Sequence, residues 1–397
     1  MTVDDFPYLE ETHRMIRETV RDFAIREVAP RSVAMDATCE FPHDLFARMA
    51  ELGLLGIPLP EEYGGAGMDT LSYIIAVEEI ARVDGALSLG VAAHTSLGTY
   101  PIYAFGTEEQ KRRWVPRLAS GKGIAAFALT EPEAGSDAQG TKTTAVERDG
   151  GWTVNWTKFY CTNWSHAASI VFTAVTGLRP GGKKEISAFV VERGTPGLKY
   201  GVKEVKLGMR ASDTRVLHFE DMRLPKDALL GGAEHRGEGF RRFMETLDGG
   251  RISIGAIGVG LAQGALDRAV PYARQRKAFG SPIGDLGGVA ERLADMAVDV
   301  HAARLLVYDA ALRKDRGLPF AKQAAMGKLF ASEAAMRCAD SAIQVLGGYG
   351  YTREYEVERI YRDAKLCEIG EGTNEIQRIV ISRQLLGRGE VLVSGVT

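Results

Sequence analysis

Cysteine is scarce in this chain of 397 residues, and Cys39, Cys161, Cys338 and Cys367 form no Cys-x-x-Cys pair. That spacing excludes a zinc knuckle and a disulfide framework, so reduced thiols in an intracellular compartment are the simplest expectation. A charge excess is also missing. The net charge of -3 gives no reason to expect nucleic acid or an anionic membrane as partner. The N-terminal run Met-Thr-Val-Asp-Asp-Phe-Pro is acidic, with neither a basic segment before an apolar run nor an arginine-rich stretch. No targeting segment is therefore expected, and the cytoplasm is the expected location. Long hydrophobic runs are absent too. The most apolar stretch, Ile252 to Val270, contains Gln263, Asp267, Arg268 and several glycines, and reads as a buried helix rather than a membrane span. Gly258-Val-Gly260 lies inside a helical pattern, without a preceding strand or an acidic partner, which argues against an NAD-binding domain. His94, His166, His218 and His301 have no carboxylate or cysteine at ligand spacing, so they read as structural and no metal is expected.

What is present is ordinary for a soluble globular enzyme: 45% hydrophobic and 25% charged residues. The length suits two or three structural units. Residues 1–120 read as an N-terminal helical domain. His13 to Val28 carries a helical apolar period that should end at Pro30, and Leu71 to Arg82 and Glu108 to Leu118 behave likewise. Residues 121–232 read as a middle β domain, with short runs at Ala125–Leu129, Trp152–Trp156, Ser169–Val175, Ile186–Val191 and Arg215–Phe219. Gly181-Gly182, Pro196-Gly197 and Gly231-Gly232 mark turns or boundaries. Residues 233–397 read as helical again, with long alanine-rich segments at Val289–Lys314 and Phe320–Leu346.

The segment Lys365-Leu-Cys-Glu-Ile-Gly-Glu-Gly-Thr-Asn-Glu-Ile-Gln-Arg378 places Glu371 between Gly370 and Gly372, just before a helical run. Glycines let the backbone approach a flat ligand closely, and a carboxylate projecting from such a turn suits a base that must reach one proton. The same segment also reads as a plain helix start, with Thr373 as cap and Glu371 as a solvated charge.

Three segments together resemble the acyl-CoA dehydrogenase family: Phe127-Ala-Leu-Thr-Glu-Pro-Glu-Ala-Gly-Ser-Asp137, Arg276-Lys-Ala-Phe-Gly280, and Gln344-Val-Leu-Gly-Gly-Tyr-Gly through Arg362-Asp-Ala-Lys to Glu371 and Arg378. The resemblance covers essentially the whole chain. It implies an α+β fold with an N-terminal helical domain, a middle β-barrel-like domain and a C-terminal four-helix bundle. It implies FAD between the last two, α,β-dehydrogenation of an acyl-CoA thioester, electron transfer to an electron-transfer flavoprotein, and a homotetramer. The chemistry is consistent with this. Removing an α-proton needs a base whose pKa is lifted by an apolar pocket, a flavin to take the hydride, and donors at the thioester carbonyl acting as an oxyanion hole.

Carried over by position, the resemblance makes Glu371 the base. Some members place the base on an earlier helix, and the matching position here is Gly250. Phe127, Leu129 and Thr130 are expected at the flavin ring, with Gly135 in the same turn. Ser136 is expected to contact both cofactor and substrate. Asn155 to Asn163 resembles a family stretch in which Tyr160 replaces a common indole, and Tyr160 and Thr162 would cover one flavin face and bond its edge. Arg276, Phe279, Gln344, Gly347 and Gly348 are expected to hold the diphosphate and adenine end, reaching across to a neighbouring subunit. Gly287 replaces a usual glutamine there. Thr373 and Glu375 are also expected near the cofactor. Asp248, Arg251, Gly372 and, more weakly, Arg383 are expected on the CoA side. The plain alternatives are a core-packing Tyr160, a solvated Arg276, and an i,i+3 ion pair between Asp248 and Arg251.

An acyl-CoA oxidase and a non-catalytic scaffold of the same fold are the competing readings. Such oxidases usually carry an extra C-terminal domain, whereas this chain stops soon after Arg388. Near Ala92–Leu97 no arginine is suited to a dicarboxylic acyl group, since Arg82 lies upstream on a helix, so a monocarboxylic chain is expected. Gly370, where most members have an aromatic residue, leaves space that a short or branched acyl group would fill.

Overall fold

The computed structural model of the chain describes Phe6 and residues 9–387; most of the run Met1 to Pro7, and Arg388, lie outside the described residues. Seven helices come first: α1 (Glu11–Phe23), α2 (Ala29–Thr38), α3 (His43–Glu51), α4 (Thr70–Ala81), α5 (Gly85–Ala92), α6 (Tyr100–Phe105) and α7 (Glu108–Ala119). Side-chain capping opens several of them. Asp69 accepts the Ser72 N–H at 2.7 Å to open α4, and Thr107 and Gln110 form a reciprocal capping box at α7. The helical path through His13–Val28 does not end at Pro30, as the sequence suggested. A π-helical turn, Ala24–Val28, joins α1 to α2 without a break, and Pro30 is the second residue of α2. A second π-helical turn, Ala93–Thr99, links α5 to α6.

The middle of the chain is a curled sheet of β1 (Ile124–Ala128), β2 (Thr144–Arg148), β3 (Gly151–Thr162), β4 (Ala167–Leu178), β5 (Lys184–Glu192), β6 (Leu198–Lys203) and β7 (Thr214–Pro225). The order is β1-β4-β2-β3-β7-β6, with β5 pairing on β4. This is a branched, open path rather than a closed ring of strands. β1 runs parallel to β4, and β3 pairs antiparallel with β7. Phe172 anchors the sheet's own core, stacked on Phe189 at 5.4 Å and tilted against Phe219 at 4.6 Å.

The C-terminal part holds α8 (Gly239–Gln275), a short hairpin of β8 (Lys277–Ala278) and β9 (Ser281–Pro282), then α9 (Gly287–Asp315), α10 (Ala321–Leu346), α11 (Val357–Ile369) and α12 (Asn374–Leu385). The apolar stretch Ile252 to Val270 lies within α8, and no described helix is long and apolar enough to cross a membrane. Gly258 and Gly260 have a packing role. A Cβ at Gly258 would meet the Ala331 carbonyl of α10 at 2.9 Å, and one at Gly260 would meet the Glu78 carbonyl of α4 at 2.4 Å. All of α4 is buried against these helices, so the two helical parts share one apolar core.

Candidate active site

Glu371 occupies the turn between α11 and α12. α11 ends at Ile369, and Thr373 caps α12 by accepting the Ile376 N–H at 3.4 Å. The helix-start reading is therefore correct for Thr373, but Glu371 is not a solvated charge. Its φ of 54° and the φ of 91° at Gly372 turn the backbone sharply inward. Its Oε2 is buried and has no hydrogen-bond partner. Burial pushes the carboxyl up to about 8, against the opposing pull of Lys328 and Arg251.

Gly250 explains how α8 admits that carboxyl. A Cβ at position 250 would lie 2.0 Å from Glu371 Oε2 and 2.8 Å from Leu97 Cδ2. Positions 250 and 371 thus meet at one point, and the Glu371 carboxyl occupies it from the α11–α12 turn. Leu97 comes from the π-helical turn Ala93–Thr99, a distortion that often marks functional sites. Tyr73 of α4 faces the same region, its hydroxyl 3.3 Å from Ser253 Oγ and within electrostatic reach of Glu371. Sequence reasoning missed Tyr73, Leu97 and Lys328, because each lies within an otherwise apolar helical pattern.

The structure brings the two β-domain segments of the resemblance together. Phe159 N–H donates to the Thr130 carbonyl at 2.8 Å, and Lys158 Nζ donates to the Leu129 carbonyl at 3.1 Å. Phe127 stacks on Phe243 of α8 at 4.4 Å, while Leu129 and Thr130 are half-buried beside it. Gly135 and Ser136 are exposed in the following turn. Tyr160 does not pack a core. It sits at a bulge of β3 against β7 with φ 55° and is 62% exposed. Thr162 pairs with Thr214 in the ladder.

A second cluster forms where α8 ends. Arg276 lies over the Tyr349 ring at 5.9 Å, and both line an open groove of about 520 Å³ with Gly347, Gly348, Tyr272 and Thr352. Gln344 is exposed in the last turns of α10, and Phe279 projects from the β8–β9 turn, 96% exposed. A notional Cβ at Gly287 meets no atom within 4 Å among the described residues. Asp248 and Arg251 form the i,i+3 ion pair of the plain alternative, yet Arg251 Nε remains buried without a partner. Arg383 is half-buried in the last turn of α12, and Glu375 is exposed in its first. His94 accepts the Ala125 N–H at 2.9 Å, His166 stacks on Phe41 at 4.1 Å, His218 bonds Thr157 at 3.0 Å and His301 packs near Phe6 at 5.2 Å. All four are structural in this sense.

Family models for the acyl-CoA dehydrogenase N-terminal, middle and C-terminal domains match residues 10–122, 126–222 and 237–386. A Bacillus subtilis (strain 168) protein described as a probable acyl-CoA dehydrogenase is 51% identical over 378 residues, covering 95% of this chain and 99% of that one. The human mitochondrial short-chain specific acyl-CoA dehydrogenase is 49% identical over 381 residues, covering 95% and 91%. The solved butyryl-CoA dehydrogenase of Megasphaera elsdenii superposes with a TM-score of 0.93 at 41% identity, covering 96% and 100%. The chain belongs to the acyl-CoA dehydrogenase family.

Proposed function

We propose that this FAD-dependent acyl-CoA dehydrogenase uses Glu371 to remove the α-proton of a short-chain acyl-CoA, giving the trans-2-enoyl-CoA. The observation that carries this is the buried, unpartnered Oε2 of Glu371 over Gly250. A carboxyl lifted to about 8 is a stronger base than a solvated one once ionised. Enclosure by Leu97 and α8 keeps water from competing for the proton.

The residues present fit FAD. Open space around the notional Cβ positions of Gly135, Gly347 and Gly348, the exposed Tyr160 and Phe279 rings, and Arg276 beside the groove suit a flat ring and a diphosphate. The bound flavin would supply the hydride acceptor for the β-hydrogen. On this chain's side, Phe127, Leu129, Thr130, Tyr160 and Thr162 would orient the ring, with Thr373 and Glu375 nearby. Arg276, Phe279, Gln344, Gly347 and Gly348 would hold the diphosphate and adenine end of a neighbouring protomer's cofactor. Ser136, Asp248, Arg251, Gly372 and Arg383 would hold the CoA arm. The buried Arg251 Nε supports that reading, because a buried donor left unpaired is costly and a ligand acceptor would satisfy it. Electrons would then leave to an electron-transfer flavoprotein.

A monocarboxylic acyl group is favoured by Arg82, which is engaged with Asp267 and lies 3.6 Å from Glu79. At Gly370 a notional Cβ meets only Leu366, the nearest atom at 3.4 Å, so space remains for a short or branched chain. Anaerobic bleaching of the flavin by butyryl-CoA, isobutyryl-CoA, octanoyl-CoA and palmitoyl-CoA tests this. The first two should bleach it fastest. Preference for palmitoyl-CoA would contradict the pocket assignment, and rapid oxygen uptake would favour the oxidase.

A further inference from the structure

Lys328, on α10, is fully buried, with 0% of its surface exposed. A buried ammonium is costly unless its three donors are satisfied and its charge is balanced. No carboxylate forms an ion pair with it among the described residues. Its two hydrogen bonds go instead to neutral oxygens: the Glu368 carbonyl at 3.1 Å and Asn374 Oδ1 at 2.9 Å. Glu368 belongs to the last turn of α11, and Asn374 is the first residue of α12. These two contacts therefore bracket the turn that carries Glu371. Ser332 Oγ, one turn along α10, lies 3.1 Å from the same Asn374 oxygen and 3.0 Å from the Leu329 carbonyl, and Gln377 Nε2 donates to the Gly372 carbonyl at 2.8 Å.

That bracket has a physical purpose. Glu371 is a non-glycine residue at φ 54°, a conformation that persists only where its surroundings over-determine it. Lys328 ties the ends of the turn, and Gln377 ties its middle. Resting on the assignment of Glu371 as base, we propose that Lys328 is a positioning residue for the reaction: it clamps the base-bearing turn to α10 and presents a fixed cation to the Glu371 carboxylate.

The groups around this pair leave Lys328 as the main cation facing the base. From α8, Arg251 faces both, with its charge partly spent on Asp248. From α4, Tyr73 contributes a neutral hydroxyl. From α11, Cys367 is a thiol pushed up to about 12 by burial, and Glu368 is engaged by Lys365. Glu375 of α12 is exposed. Burial brings Lys328 itself down to about 8, with Cys367 and Glu371 opposing, so the two buried groups stabilise each other's charged forms.

A cation beside a carboxylate favours its ionised form, so removing it raises the base's pKa. Lys328→Met shortens the side chain by one heavy atom and removes its charge and donors. Its test is the pH profile of flavin reduction by butyryl-CoA in the holoenzyme, measured in single turnover. The acid limb should move up by about one pH unit, and the plateau should fall roughly ten- to hundred-fold from lost positioning, with FAD content retained. Asn374→Leu cuts the tether and keeps the cation. It should lower the plateau with the acid limb unmoved, and it decides the matter alone if Lys328→Met yields no folded protein. An unmoved acid limb in Lys328→Met, or a full plateau in Asn374→Leu, overturns the proposal while an inactive Glu371→Gln leaves the base assignment standing. A Glu371→Gln protein that reduces flavin at full rate overturns both.

Discussion

Burial lifts the Glu371 carboxyl, and that has a consequence for stability as well as for rate. Between the ordinary value of 4.5 and about 8, the folded protein retains a proton that the unfolded chain has lost. Stability contributed by this group therefore falls as pH rises through that window, by about 1.4 kcal/mol per pH unit at most. Glu371→Gln removes the penalty. Its melting temperature should exceed that of the wild type at pH 8, and the difference should close towards pH 4.5; thermal melts of the holoprotein across this range check it, and a pH-independent difference would contradict it. At this scale the sequence was partly legible. Glycines on both sides of Glu371 and a threonine two residues on announced a turn, a projecting carboxylate and a cap. The spacing of Asp248 and Arg251 announced their ion pair. Lys328 and Tyr73 were not legible, since neither follows from local period: their partners lie on other helices, and only tertiary packing joins them.

Among elements, the long helices were easier to read than the strands. Alanine-rich periodic runs forced α9 and α10 to near their observed ends, whereas β2 and β6 are largely exposed strands with charged residues that masked their alternation. The π-helical turns were illegible, because one inserted residue leaves composition unchanged. The loop between β1 and β2 depends on a buried polar knot that sequence reasoning also missed. Lys158 Nζ meets Glu131 Oε1 at 2.7 Å and the Leu129 carbonyl at 3.1 Å, and Glu131 accepts from the Lys142 and Thr143 N–H groups. Burial alone would raise the Glu131 carboxyl, but Lys158 and the hydroxyls of Thr141 and Thr143 hold it below its ordinary range. Removing one partner of a buried pair leaves an uncompensated charge, typically costing about 3–5 kcal/mol. Lys158→Met should therefore lower the melting temperature and release FAD more readily, because the Leu129–Thr130 backbone loses its support. The Lys158→Met, Glu131→Leu double variant should recover much of the stability. Equal FAD retention in the wild type and the single variant would contradict this role.

For the whole molecule, the order helices, sheet, helices was visible because the hydrophobic period changes twice along the chain. The barrel-like middle domain is a curled seven-stranded sheet, but its strand order was not legible, since strand pairing is a long-range property that alternation does not encode. Phe279, 96% exposed, and the open groove beside Arg276 make sense if a neighbouring protomer's cofactor covers them. A dimer of dimers is the expected assembly, and sedimentation with flavin absorbance should show FAD release on dissociation; a monomer that keeps its FAD at micromolar concentration would contradict it. In the proposed reaction one carboxylate, admitted by Gly250 and carried by the α11–α12 turn, abstracts the substrate proton. Its most direct test is the rate of anaerobic flavin bleaching by butyryl-CoA in Glu371→Gln, a nearly isosteric change. The variant should bind FAD and substrate normally and bleach on the order of 10² to 10⁴-fold more slowly than wild type. Bleaching at near the wild-type rate would show that another group is the base.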